Sequence, residues 1–168
     1  MKILFENKYT KDEPLLKEIY KYVCFKRPIT FIPTIIMIGI LIKAMIDWIS
    51  INYCNSPILF ISIFYFAFKI FYYKFLVSRQ IKATNELNNG KPLEINTVVY
   101  NDSIQYTASN GAINEINFEN IKYGFQTKNL ILFLSKANLI YILKKDTFTK
   151  GTKDEFIEFI KNKGIKIH

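Results

Sequence analysis

Two apolar runs separated by a six-residue polar turn constrain this chain more than any other feature. Residues 29–42 carry no charge, and the apolar pattern continues past Lys43 and Asp47 to Ile51. As a helix, residues 29–51 would reach about 34 Å at about 1.5 Å per residue. Next comes Asn52-Tyr53-Cys54-Asn55-Ser56-Pro57, a turn closed by proline. The second run, residues 58–75, is interrupted only by Lys69 and Lys74 and reaches about 27 Å. A bilayer core is about 30 Å thick, so the first run can span and the second falls slightly short. Lys69 and Lys74 can snorkel toward lipid phosphates at the near end and make up the difference. Trp48 and Tyr53 fall toward one end and Tyr72 and Tyr73 toward the other, as interfacial aromatic residues do. The competing reading is a helical hairpin buried in a soluble core. A chain of 168 residues has too little surface to cover two helices that are apolar all round. The expectation is a transmembrane hairpin over residues 29–75.

The net charge of +9 is unevenly placed. Residues 1–28 contribute +3, residues 58–82 contribute +4 through Lys69, Lys74, Arg79 and Lys82, and residues 83–168 only +2. The surplus therefore borders the apolar runs. Arginine occurs only at positions 27 and 79, whereas nucleic-acid binders concentrate Arg on a folded face; no nucleic-acid partner is expected. Both outer flanks are basic and the turn at 52–57 is uncharged, so the positive-inside rule puts both termini in the cytoplasm of a plasma membrane. No cleavable signal peptide is expected, because the apolar run starts only after a charged lead. Lys43 and Asp47 lie four apart on one helix face and read as a membrane ion pair near the outer headgroups. Cys24 and Cys54 form no metal or disulfide pattern. They read as packing thiols, although Cys24 is placed where juxtamembrane acylation occurs.

The flanks are patterned differently. Residues 1–28 form a cytoplasmic lead: a short strand over residues 2–9, then an amphipathic helix capped at Asp12 with Pro14 in its first turn and Leu15, Leu16, Ile19, Tyr20 and Val23 at helical spacing. Residues 76–90 continue from the hairpin as a basic juxtamembrane helix ending at Asn88-Asn89-Gly90. From residue 91 the period changes to two. Leu93, Ile95, Thr97 and Val99 alternate with polar residues, and Asn101-Asp102 and Asn110-Gly111 signal hairpins, the latter of the kind favoured in two-residue loops. Further strands are expected over 103–107, 112–117, 121–127, 129–134 and 138–143, the last two the most buried. Thr152 and Glu155 match a capping box for a closing helix that stops at Gly164. The fold class is thus an α+β membrane protein. A two-helix transmembrane hairpin is joined to a small antiparallel sheet or barrel, residues 91–168, capped by a C-terminal helix. The local cues within 91–168 agree with one another, so this segment is expected to fold alone.

This order of elements resembles the YcxB-like family of small bacterial membrane proteins. Ile116-Asn117-Phe118-Glu119-Asn120-Ile121 is similar to the family's strand-to-bend segment, which usually carries Trp where Phe118 stands. Leu139-Ile140-Tyr141-Ile142-Leu143-Lys144-Lys145-Asp146-Thr147-Phe148 is similar to its last strand and following turn, with Leu143 in place of proline and Lys145 in place of arginine. Residues 152–163 match its closing helix. The resemblance implies a pleckstrin-homology-like (PH-like) C-terminal domain and brings no catalytic residue and no cofactor.

The residues themselves point the same way. The one histidine is His168, the six glycines form no phosphate loop, and Asp154, Glu155 and Glu158 sit at a helix start where capping accounts for them. No catalysis, cofactor or metal is expected. Two function classes remain. One is a membrane-held module that binds a protein partner or anionic lipid, with Lys69, Lys74, Arg79, Lys82, Lys144 and Lys145 as headgroup contacts. The alternative is a membrane immunity protein against a toxin or bacteriocin.

Overall fold

The structure is a computed structural model that describes residues 2–51 and 56–168. Most of the expected turn, including Tyr53 and Cys54, lies outside the described residues. The chain forms two compact units, Glu13–Ala83 and the discontinuous pair Met1–Asp12 with Thr84–His168.

The helical unit begins with α1 (Glu13–Lys21), whose Leu15, Leu16 and Ile19 are buried. A π-helical turn, Tyr22–Lys26, follows, closed by the Arg27 N–H on the Tyr22 carbonyl at 2.9 Å. Arg27 is extended (ψ 133°), as a residue preceding proline is driven to be. Thr30 then donates its hydroxyl to the Val23 and Arg27 carbonyls at 3.0 and 2.8 Å, satisfying acceptors that the irregular turn leaves open. α2 (Pro28–Ile51) and α3 (from Ser56 to Leu87) have 24 and 32 residues, or about 36 and 48 Å. Both are long and apolar enough to cross a membrane, and only 6% of each apolar window is buried. Ile49 is 81% exposed and Phe60 73%. No glycine or proline interrupts residues 58–89, so α3 runs unbroken from the apolar run into the basic segment. It stops where Asn89 and Gly90 take positive φ (50° and 76°) and the Gly90 N–H returns to the Asn85 carbonyl.

The second unit holds eight strands in two antiparallel sheets. The first comprises β1 (Phe5–Thr10), β2 (Glu94–Val99), β3 (Ser103–Ala108), β4 (Ile113–Asn117) and β8 (Phe148–Lys150), in the order β4-β3-β2-β1-β8. The second is β5 (Ile121–Gln126), β6 (Leu130–Ser135) and β7 (Ile140–Lys144), with β6 central and buried along its whole length. α4 (Lys153–Asn162) follows. Its capping box is formed as the sequence predicts, with the Thr152 N–H on Glu155 Oε2 at 2.8 Å and the Glu155 N–H on Thr152 Oγ1 at 3.3 Å.

Four features differ from the sequence pattern. The sheets do not merge into one closed barrel. β7 is an edge strand, with only Leu143 fully buried. The Asn110-Gly111 turn is a three-residue loop, since Ala108 and Ala112 already face each other through an N–H to carbonyl bond of 2.8 Å. Most consequentially, β1 belongs to the β unit. It pairs with β2 over its full length, from Phe5 opposite Val99 to Thr10 opposite Glu94, and with β8 on its other side. A boundary at residue 91 therefore separates strands that are hydrogen-bonded neighbours. β8 escapes a pattern search because it is three residues long. It is seated by Gly151, whose left-handed φ of 72° no Cβ would tolerate beside the Phe5 ring.

Register explains the core. Phe5, Val99, Ile104 and Ile116 form one apolar row across the inner face of the first sheet, and all are buried. Phe156 of α4 is fully buried and meets the rings of Phe5, Phe133 and Phe148 at 5.4, 6.0 and 5.6 Å. The next row is polar: Asn7 opposite Thr97, then Tyr106, then Asn114. Asn7, fully buried, donates its amide to the Lys144 carbonyl at 2.7 Å and accepts the Lys144 N–H at 3.1 Å. One side chain thus joins β1 to β7 and links the two sheets.

Residues 91–168 alone should fail to give a cooperative urea transition. Residues 2–12 linked to 91–168 through a short Gly/Asn loop should restore it, because Lys11 already lies against Leu93 (N–H to carbonyl, 2.8 Å). In that linked chain Asn7→Ala should cost about 2–3 kcal/mol, from two lost bonds and a stranded strand end. Phe156→Ala should cost about 3–5 kcal/mol. Both are read from denaturant midpoints.

Candidate functional site

The structure distributes the sequence-derived candidates over three settings. Lys43 and Asp47 pair within α2 at 2.8 Å, with the Lys43 side chain 78% exposed. They border a groove shared with Ala44, Ile58, Ile61 and Ser62, whose hydroxyl is buried without a partner among the described residues.

Lys69 behaves differently from its neighbours on α3. The sequence pattern directs it outward to lipid phosphates, whereas the structure turns it inward. Its ammonium donates to the Thr30 carbonyl at 3.0 Å and to the Thr34 hydroxyl. The Thr34 hydroxyl donates to the Thr30 carbonyl at 2.8 Å and lies 3.1 Å from the Tyr65 hydroxyl. The ammonium also sits 5.2 Å from the Phe25 ring centre and 5.7 Å from that of Tyr65. The physical reason lies on the other helix, where Thr30 and Thr34 of α2 supply oxygen acceptors one turn apart. Lys74, Arg79 and Lys82 are exposed. At about 100° per residue they fall within an arc of about 140° on α3, and Lys69 lies outside it.

Lys144 and Lys145 belong to the β unit. The Lys144 ammonium is 3.9 Å from Asp146, and the Lys145 ammonium donates to the Thr127 carbonyl at 2.6 Å. Both ammonium groups thus have partners in the connections that flank β7.

The sequence pattern misses the polar centre of the β unit. Tyr9, Tyr106 and Tyr141 gather beside Asn7 and Thr97, with the Tyr106 and Tyr141 rings 5.2 Å apart. The Tyr106 hydroxyl and the Thr97 hydroxyl are buried and lack partners among the described residues. Burial raises the Tyr9 phenol above the ordinary tyrosine range, and burial first, then Tyr9 and Tyr141, raises Tyr106. The signal was available only through the pairing of β1 with β2, which puts Asn7 opposite Thr97. Near Tyr9 a cavity of about 450 Å³ opens between Lys8, Glu94, Asn96 and Thr107. Among the described residues no group of three or more His, Cys, Asp or Glu is placed to hold a metal ion.

No protein-family model, curated protein or solved structure matches this chain.

The tyrosines set an alkaline limit on stability. Their phenols stay protonated in the folded state above pH 10, where an unfolded tyrosine ionises. The unfolded state then binds fewer protons, so stability is complete below about pH 10 and falls as pH rises further. The urea midpoint should drop as pH rises above about 10, and Tyr9→Phe with Tyr106→Phe should flatten that slope. At pH 7 Tyr106→Phe should be neutral or stabilising, because it removes an unpartnered buried hydroxyl.

Proposed function

We propose that this chain is an integral membrane protein in which α2 and α3 form a two-span hairpin in the plasma membrane. It holds a cytoplasmic PH-like module of YcxB type that binds a protein partner or anionic lipid and carries out no catalysis. The observation that carries this reading is the exposure of both apolar helices, of which 6% is buried. A core hairpin of a soluble protein would bury that surface, because contiguous apolar patches of this size are otherwise rare. Strand pairing supports the orientation. β1 precedes the hairpin, β2 follows it, and the two are register partners. Both flanks must therefore share one compartment, which two crossings satisfy and one does not. The basic arc of Lys74, Arg79 and Lys82 supports reading that compartment as the cytoplasm. Near anionic lipid each such residue is worth about 1 kcal/mol. The two antiparallel sheets closed by α4 are compatible with the PH-like reading and with the family resemblance.

The protein should pellet with membranes after carbonate extraction. In intact cells Cys54 should react with an impermeant thiol reagent. Cys24 should not, being buried, with burial also raising its thiol above the ordinary range against the opposing pull of Lys69. Recovery in the supernatant would reject the membrane reading, and labelling of Cys54 only after permeabilisation would reject the orientation.

A further inference from the structure

Lys69 is a cation in apolar surroundings with only neutral partners. An ammonium has three N–H donors, and here the Thr30 carbonyl and the Thr34 hydroxyl account for two. The rings of Phe25 and Tyr65 flank it, and among the described residues no carboxylate pairs with it. Lys43, in the first apolar run, is by contrast neutralised by Asp47. Cys24 lies on the same cavity as Lys69 but is kept protonated by burial, so it supplies no counter-charge. Lys69 is half-buried, and a charge among apolar side chains with no opposite partner is costly.

The cavity beside Lys69 is walled mainly by apolar side chains. It measures about 390 Å³, within the range of about 300–1,000 Å³ typical of small-ligand sites. Val23, Ile29, Pro33, Phe68 and Leu76 make its walls. Ile29 is 73% exposed and Phe68 55%, so the groove opens sideways, onto whatever surrounds the hairpin. An occupant must then be apolar along most of its length and negative at one point.

We propose that this groove holds one anionic lipid, an acyl chain lying along its apolar wall and a phosphate or carboxylate oxygen accepting the third N–H of Lys69. The proposal rests on the membrane reading above. It makes Lys69, rather than the exposed basic arc, the point at which a single lipid is selected.

The test uses the full chain purified in mild non-ionic detergent and examined by native mass spectrometry. One anionic lipid per chain is expected, and its mass separates a phospholipid from a free fatty acid. Lys69→Met should lower the lipid-bound fraction at least tenfold. Lys69→Arg should retain it, as should Lys74→Met, which removes the same charge from an exposed site on the same helix. Equal retention by Lys69→Met and wild type overturns the proposal. Delipidated wild-type protein gives a readout that needs no variant. Phosphatidylglycerol or oleate should bind at least tenfold more tightly than phosphatidylcholine with the same chains, and equal binding overturns the proposal. Carbonate extraction of the same variants keeps the two readings apart. Protein that pellets but binds no anionic lipid loses only this site, whereas protein in the supernatant loses the membrane reading itself.

Discussion

The pairing of β1 with β2 is the constraint on which the rest of the structure depends. These strands are adjacent and antiparallel, with Thr10 opposite Glu94, an arrangement that a turn of a few residues usually completes. Here the entire helical unit occupies that connection. The β unit therefore has no continuous sequence of its own. Any segment inserted at this point must bring the chain back to where it left. A helical hairpin does so, because two antiparallel helices return their ends to one side. The insertion and the sheet thus impose compatible demands, and the sheet order restricts how many times the intervening chain can cross a bilayer.

Asn7 shows how the inserted topology is held. Its amide reproduces for Lys144 the pair of hydrogen bonds that a neighbouring strand would give. Buried amides are tolerated only when their polar atoms are used, and Asn7 uses both ends. The same inner row continues into the Thr97 and Tyr106 hydroxyls, which find no partner among the described residues. An apolar row of Phe5, Val99, Ile104 and Ile116 provides burial, and the polar row beside it provides register. A slip of one residue would turn every one of these side chains to the opposite face.

Local cues made most elements legible. Six strands, the Thr152–Glu155 box and the Asn89–Gly90 stop all occupy the positions that periodicity and turn chemistry indicate, because each depends on residues a few positions apart. What failed was everything set by distant partners. The strand near residues 2–9 was visible, but its assignment to the second unit was not, since its partner lies more than eighty residues away. β8 exists only because β1 offers an edge. Lys69 was legible as a lysine in an apolar run, yet its inward turn depends on Thr30 and Thr34 on the other helix. Exposure and long-range pairing carried the information that spacing could not.

The same topology orders the assembly of the sheets. β2, β3 and β4 are successive antiparallel neighbours, as are β5, β6 and β7, so both groups can form from local contacts. β1 and β8 join only through partners distant in sequence, and such pairings are slow because chain must be closed before contacts compensate. Closure of the first sheet thus waits on the helical unit, since β1 and β2 can meet only after the intervening chain has doubled back. Until then Phe5 is exposed and Phe156 lacks one of its three ring neighbours. A preformed hairpin shortens the effective loop between β1 and β2 and lowers that closing cost. On the proposed membrane reading, insertion of α2 and α3 would be the step that brings the two halves of the β unit within reach of each other.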